Sequence, residues 1–388
     1  MSVAAASPAN ERLQRLAAYL EQDPGNEALL AEACDAAIAC GAHDQAEAFI
    51  AAADALPGDT APWLFRRARI AIARRELARA ADLLQSLRQL AGRHPVLDHD
   101  LGYVHLLQGD ALACRELVQP WLHGDSATVD PEALAALQLL WVRALHRLQA
   151  LDELMEWARA QADAGALAAR AQGAASLVAI DTEDFAVARA WADTALAVDP
   201  QQPEALLARG SVALADGETA QAMGLLQRAL QCNPEDGRIW SALGLASLQA
   251  QDLPGARSQL ERAVTGMPGH VGTWHALGWA CLLQHDRAAA LAAFRQALEI
   301  DRNFAETHGA LGLLTALAGD AEGARHHLDV AERLDPRNVT GHYARALLAG
   351  DAGDRAAMER LSRRLLDRPG FFGGTLADTV LSRTRRRD

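Results

Sequence analysis

Gly210, Gly244, Gly278 and Gly312 stand 34 residues apart, and two sets of alanines keep the same step. Ala188, Ala222, Ala256, Ala290 and Ala324 form one set, and Ala195, Ala229, Ala263, Ala297 and Ala331 form the other. Three registers locked to one period define a tandem repeat. A unit of this length holds two helices and a turn, and it cannot bury its apolar face alone, so successive copies must stack. The chain is therefore expected to be an array with extended surfaces rather than a domain built around a catalytic cleft.

The unit 237–270 shows why each copy should be a helix pair. Trp240, Leu243, Gly244 and Ser247 fall at i, i+3, i+4 and i+7, one stripe of an α-helix. A break near Ala250–Leu253 separates them from Ala256, Leu260 and Ala263, at i, i+4 and i+7. Pro268 then stops the second helix, because proline cannot continue a helix interior. Glycine at unit position 8 and alanine at position 20 remove bulk where the two helices cross. Gln249, at position 13, is expected to be exposed.

This pattern resembles the tetratricopeptide repeat. That family's motif has a large apolar residue at 4, Leu at 7, Gly or Ala at 8, Ala at 20, Leu or an aromatic at 24, Ala at 27 and Pro at 32. Unit 237–270 matches it with Trp240, Leu243, Gly244, Ala256, Leu260, Ala263 and Pro268. Unit 203–236 carries Leu206, Gly210, Ala222, Leu226, Ala229 and Pro234, with Arg209 in the Leu slot. Unit 271–304 has Trp274, Leu277, Gly278, Ala290, Phe294 and Ala297, with Arg302 in the proline slot, and unit 305–338 has His308, Leu311, Gly312, Ala324, Leu328, Ala331 and Pro336. The resemblance is strong over 169–338 and degenerate over 27–165. It implies an all-α fold, a right-handed superhelical solenoid of about ten tandem helix-turn-helix units with capping helices. The expected organisation is an N-terminal capping helix in 1–26, degenerate units in 27–165, the regular array in 166–372, and a C-terminal tail in 373–388 with a basic end, Arg383–Arg387. The last unit, about 339–372, is anchored on Ala357, Leu361 and Pro369 after a one-residue deletion. Asp130-Pro131 reads as N-cap plus first helical residue, after a loop from His123.

Composition narrows the chemistry. Hydrophobic residues make up 50% of the chain but aromatics only 5%, which suits closely packed Ala-rich helices. No run of about 18 apolar residues occurs, so no membrane insertion is expected. The net charge of −13 argues against a broad nucleic-acid footprint. All 37 basic residues are arginine, an association with GC-rich bacterial genomes, so no Schiff-base or phosphate-loop lysine is available. The cysteines Cys34, Cys40, Cys114, Cys232 and Cys281 are odd in number and lack a CxxC spacing. No disulfide framework, metal or other cofactor is expected, and the setting is expected to be a reducing cytoplasm. No nucleophile elbow or HExxH motif occurs, so the chain is expected not to be an enzyme.

The resemblance also implies where a partner would sit. In the family, positions 2, 5, 9 and 12 of each first helix line a concave face, and the 3-4-3 spacing does place them on one side of a helix. The candidate groove residues are Leu207, Leu214, Leu245, Leu248, His275, Trp279, Leu282, Leu313, Tyr343 and Leu347. Trp279 is the foremost, because the repeat does not itself require an aromatic at position 9. Two groove types known in the family are absent. The carboxylate clamp needs lysine, and the asparagine ladder needs Asn at position 6, where Ala208, Ala242, Ala276 and Ala310 stand. A second candidate, a basic patch for an acidic partner, is Arg66, Arg69 and Arg74. The expected partners are proteins or peptides, with homo-oligomerisation open. The expected role is a scaffold, adaptor or chaperone in secretion, pilus or envelope assembly, or alternatively a substrate-targeting or regulatory subunit of an enzyme complex such as a glycosyltransferase or protease.

Overall fold

The computed structural model describes residues 8–124 and 129–348. The expected second helix of the last unit, the tail 373–388 and Arg383–Arg387 lie outside the described residues. Twenty α-helices and no strand occur among those described, an all-α repeat solenoid. The chain divides into two compact units at Ala175 and Ser176.

In the first unit a lone helix, α1 (Pro8–Gln22), precedes the pairs α2 (Glu27–Ala39) and α3 (His43–Asp54), α4 (Ala61–Ala73) and α5 (Leu77–Ala91), α6 (Pro95–Leu107) and α7 (Ala111–His123), and α8 (Pro131–Arg147) and α9 (Leu151–Asp163). Leu13, Leu16 and Leu20 form the buried stripe of α1 and join Leu30, Ala33 and Ala37 in one cluster. Asp130 caps α8 through the backbone N–H of Glu132 at 3.2 Å, with Pro131 at the first helical position. α8 is 17 residues long, against 13 in α4 and α6, so the repeat loses its spacing here. Gln138, buried on α8, fixes the segment after α9 by donating to the Ala166 carbonyl at 2.9 Å and accepting from the Ala168 N–H at 2.8 Å.

The period becomes strict further along. α10 (Ala169–Asp181) and α11 (Phe185–Val198) are followed by α12 (Pro203–Ala215) and α13 (Thr219–Cys232), α14 (Gly237–Gln249) and α15 (Leu253–Gly266), α16 (Val271–Leu283) and α17 (Arg287–Ile300), α18 (Ala305–Leu317) and α19 (Ala321–Leu334), and then α20 (Val339–Leu348). The glycines at position 8 are explained by what they face. A methyl group on Gly244 would lie 2.5 Å from Leu260 Cγ, on Gly278 2.5 Å from Phe294 Cε1, and on Gly312 2.6 Å from Leu328 Cδ2. Position 8 of each first helix is thus the socket for position 24 of its second helix. The turn between the two helices also repeats. Glu183, Gly217, Gln251, His285 and Gly319 all have positive φ and stand 34 residues apart. At Gln251 the N–H bonds to the Leu248 carbonyl at 3.1 Å, and that of Asp252 bonds to Ser247 at 2.9 Å, the Schellman closure of a helix end.

Position 4 carries a further regularity. The indole N–H of Trp240 donates to the Pro234 carbonyl and that of Trp274 to Pro268, both at 2.8 Å. His308 and His342 place Nε2 at 3.0 and 2.9 Å from the carbonyls of Arg302 and Pro336. In these four units a ring nitrogen that reaches back six residues therefore ties the start of the unit to the loop before it, and Arg302 serves as well as proline because only its carbonyl is used.

Candidate protein-binding face

The first helices of the regular array form a row: α14 touches both α12 and α16, and α20 touches α18. The expected groove residues on this row divide into two groups. Leu207, Leu214 and Leu313 are only 4%, 5% and 6% exposed, so these three are corrected to core positions. Leu207 and Leu214 share a buried cluster with Ile239 and Leu243 of the next first helix, and Leu313 shares one with Leu328 and Ala344. The neighbouring repeat covers them, which helical spacing within one unit does not report.

The others remain accessible. Leu245 is 41% and Tyr343 39% exposed, and Leu248, His275, Trp279, Leu282 and Leu347 are half-buried. Trp279 and Leu282 each pack against two clusters, the one built on Phe294 and Leu311 and the one built on Leu313, Leu328 and Ala344. Leu248 lies against the first and Leu347 against the second, so the apolar strip runs from α14 to α20. Sequence reasoning missed Leu283 and Leu317, 50% and 40% exposed at position 13, where the 34-residue step was itself the available signal. Gln249, at the same position, is half-buried instead and accepts from the Thr219 hydroxyl at 2.7 Å.

Trp279 is held in place from within its own unit, contrary to the expectation that packing would not account for it. Its indole N–H donates to His275 Nε2 at 2.9 Å, and its ring meets Phe294 edge-on with centroids 6.0 Å apart. His275 in turn lies 5.3 Å from the Phe294 ring and 5.5 Å from that of Phe304. Burial among these rings pushes the His275 pKa down to about 4, so the imidazole is neutral at pH 7. With Nε2 accepting, the proton sits on Nδ1, which faces the Thr307 hydroxyl at 3.5 Å. The Trp279 N–H is thereby consumed, and what the indole offers a partner is its apolar surface.

The arginine patch is corrected more fully. Arg66 makes a two-point contact with Asp35, at 3.1 and 2.7 Å, and Arg69 lies 3.6 Å from the same carboxylate. Arg74 pairs with Asp44 and, at 2.8 Å, with Glu47. The positive run on α4 meets acidic residues of α2 and α3 some 30 positions earlier, so the local sign reversal seen in the sequence is largely cancelled in the fold. Among the described residues no group of three His, Cys, Asp or Glu side chains is arranged to hold a metal ion.

Residues 174–237 and 207–270 match one model of the tetratricopeptide repeat, and residues 271–304 match another. Residues 174–304 are tetratricopeptide repeats. Members of this family generally mediate protein–protein interaction, and their repeat scaffold is typically non-catalytic. No curated protein matches in a sequence comparison. Among solved structures, a tetratricopeptide repeat protein from Parabacteroides merdae is similar at 14% identity and a TM-score of 0.44, over 66% of this chain and 98% of that one. YrrB, described as a TPR protein with an unusual peptide-binding site, is similar at 21% identity and a TM-score of 0.38, over 46% of this chain and 92% of that one. The Cut9–Hcn1 assembly of the APC/C is similar at 14% identity and a TM-score of 0.42, over 89% of this chain and 87% of that one. In this tetratricopeptide repeat protein the strip from Leu245 to Leu347 occupies the first-helix face of the repeats.

Proposed function

We propose that the chain is a non-enzymatic scaffold, adaptor or chaperone that holds an apolar segment of a partner protein against the first helices of residues 237–348. The observation that carries this reading is the strip itself. Leu245, Trp279, Leu282 and Tyr343 keep surface open on one face. Contiguous exposed apolar surface marks interaction sites, and buried tryptophan and tyrosine anchors supply most of the binding energy at such sites. No described helix is long and apolar enough to cross a membrane. Five free thiols support a reducing, cytoplasmic setting, and the all-arginine basic set is in keeping with a GC-rich bacterial genome; the proposed setting is secretion, pilus or envelope assembly.

The test is a titration of the partner recovered with the tagged protein, against wild type and a Leu245→Ala/Trp279→Ala variant. Each truncated anchor should weaken binding by about 2 kcal/mol while the helical circular dichroism signal is kept. Unchanged affinity in the folded variant would remove the strip from consideration.

A further inference from the structure

One unit of the array gathers rings at positions where its neighbours carry leucine. Position 24 is Leu226, Leu260 and Leu328 in three units and Phe294 in unit 271–304, which also ends on Phe304. Position 9 is Leu245, Leu313 and Leu347 in the neighbouring units and Trp279 here, and His275 stands four residues before it. The four rings form one group. The His275 ring lies 5.3 Å from that of Phe294 and 5.5 Å from that of Phe304, and Trp279 meets Phe294 edge-on at 6.0 Å. Phe294 is fully buried in the socket left by Gly278, which fixes the floor of the group.

Within this group the polar hydrogens are already used. On one helix, residues four apart share a side, so the imidazole comes beside the indole, and the Trp279 N–H donates to His275 Nε2 at 2.9 Å. The other imidazole nitrogen, Nδ1, faces the hydroxyl of fully buried Thr307 at 3.5 Å. Towards α14 the hydroxyls of Ser241 and Thr273 lie 3.1 Å apart, and that of Thr273 lies 2.8 Å from His270 Nδ1. A leucine at position 5, such as Leu207 in unit 203–236, could pack against the same rings but would leave the indole N–H without an acceptor. The rings therefore hold Trp279 in place, and the His275 nitrogen adds something distinct. It removes the one donor that a half-buried indole has to present.

Building on the proposed binding face, we infer that His275 is a specificity-determining residue of that face: by taking the Trp279 N–H it makes the centre of the strip an anchor for an aliphatic side chain of the partner and selects against side chains that carry a hydrogen-bond acceptor. An aliphatic group asks only for contact. A carboxamide or carboxylate seated on the indole gives up its water and finds no donor in return, which lowers affinity by about one to two orders of magnitude. With the N–H free, the same indole would accept such a group.

The experiment uses the full-length chain and a random dodecapeptide library displayed on phage. Peptides are kept when they bind wild type and not Leu245→Ala/Trp279→Ala. The peptide residue seated on Trp279 is found by double-mutant cycles with Trp279→Ala, and the peptide is made with Leu and with Asn at that place. Affinities of the two forms are read by fluorescence anisotropy for wild type, His275→Leu, His275→Phe and His275→Gln, each checked by circular dichroism. In wild type the Leu form should bind at least about tenfold more tightly than the Asn form. His275→Leu and His275→Phe both free the indole N–H, so the ratio should narrow by about three- to tenfold through tighter binding of the Asn form. His275→Gln offers Oε1 in place of Nε2 and should restore the wild-type ratio. Equal binding of the two forms by wild type would overturn the inference without recourse to any variant. A ratio unchanged in the acceptor-free variants, or a loss of both forms in proportion, would reduce His275 to a packing residue and overturn the inference while leaving the face standing. A library that yields no strip-dependent peptide would overturn the face, and the inference with it.

Discussion

The Nδ1 atoms of His308 and His327 lie 3.3 Å apart, so the contact survives only while one of the two lacks a proton. His308 Nε2 faces the Arg302 carbonyl, which can only accept, so this nitrogen carries the hydrogen and His327 donates to Nδ1 of His308. Burial lowers the His327 pKa from 6.5, and His308, His326 and Arg295 lower it further. An unfolded histidine takes up its proton near pH 6.5 and the folded His327 only below that. The stability is thus fully present above about pH 6.5 and is lost as pH falls through that value toward the folded pKa. Melting temperature should drop between pH 7.5 and pH 5. In His308→Trp, which keeps a ring N–H for Arg302 as Trp274 does for Pro268, the drop should shrink. An undiminished drop would clear the pair of responsibility. It should not vanish, because His275, held down at about 4, contributes about 2 kcal/mol over the same descent.

Gly244→Leu should destabilise the array by roughly 1–3 kcal/mol or more, since even a methyl group there would lie 2.5 Å from Leu260 Cγ. Gln249 is unsuitable as an exposed control because it bonds to Thr219. Gln227→Leu, on the exposed side of α13, should change stability by under about 0.5 kcal/mol. Similar urea midpoints for the two variants would show that the position-8 socket is not what the glycine serves.

Asp98 is fully buried and accepts from Arg88 at 2.7 Å, Arg93 at 3.1 Å and the Trp121 indole at 2.9 Å. Asp98→Ala leaves two guanidinium groups facing a site without a counter-charge, and a loss of about 3–5 kcal/mol is expected. Nothing in the degenerate spacing of residues 95–123 singled out this aspartate, because its three partners lie on separate segments. A denaturation curve within 1 kcal/mol of wild type would contradict the ion cluster's role.

His285 holds a left-handed backbone at φ 64°, where Gly217 and Gly319 serve in equivalent turns. A non-glycine residue there costs of order 1 kcal/mol, partly offset by the greater chain entropy of unfolded glycine. His285→Gly should therefore be neutral or stabilising by under about 1 kcal/mol, and a lowered melting temperature would show that the imidazole itself supports the turn.

By itself the sequence determined the helix pairs, their period and the small-residue sockets at Gly244, Gly278 and Gly312, because these follow from local spacing that repeats unchanged. Spacing also put positions 5, 9 and 12 on one side of a helix wherever that helix lies, while the reading of that side as a binding face is what the family resemblance implies. Only the tertiary structure decided which of those residues stay open. Leu245 and Leu313 hold the same position in their units, yet one is exposed and the other buried, because the next repeat presents a different neighbour to each. The same cause cancelled the arginine patch, as Asp35, Asp44 and Glu47 come from earlier helices that no local pattern connects to Arg66 or Arg74. Periodicity fixes the side of a helix on which a residue lies, whereas burial and charge balance depend on what the stacked neighbour brings to it.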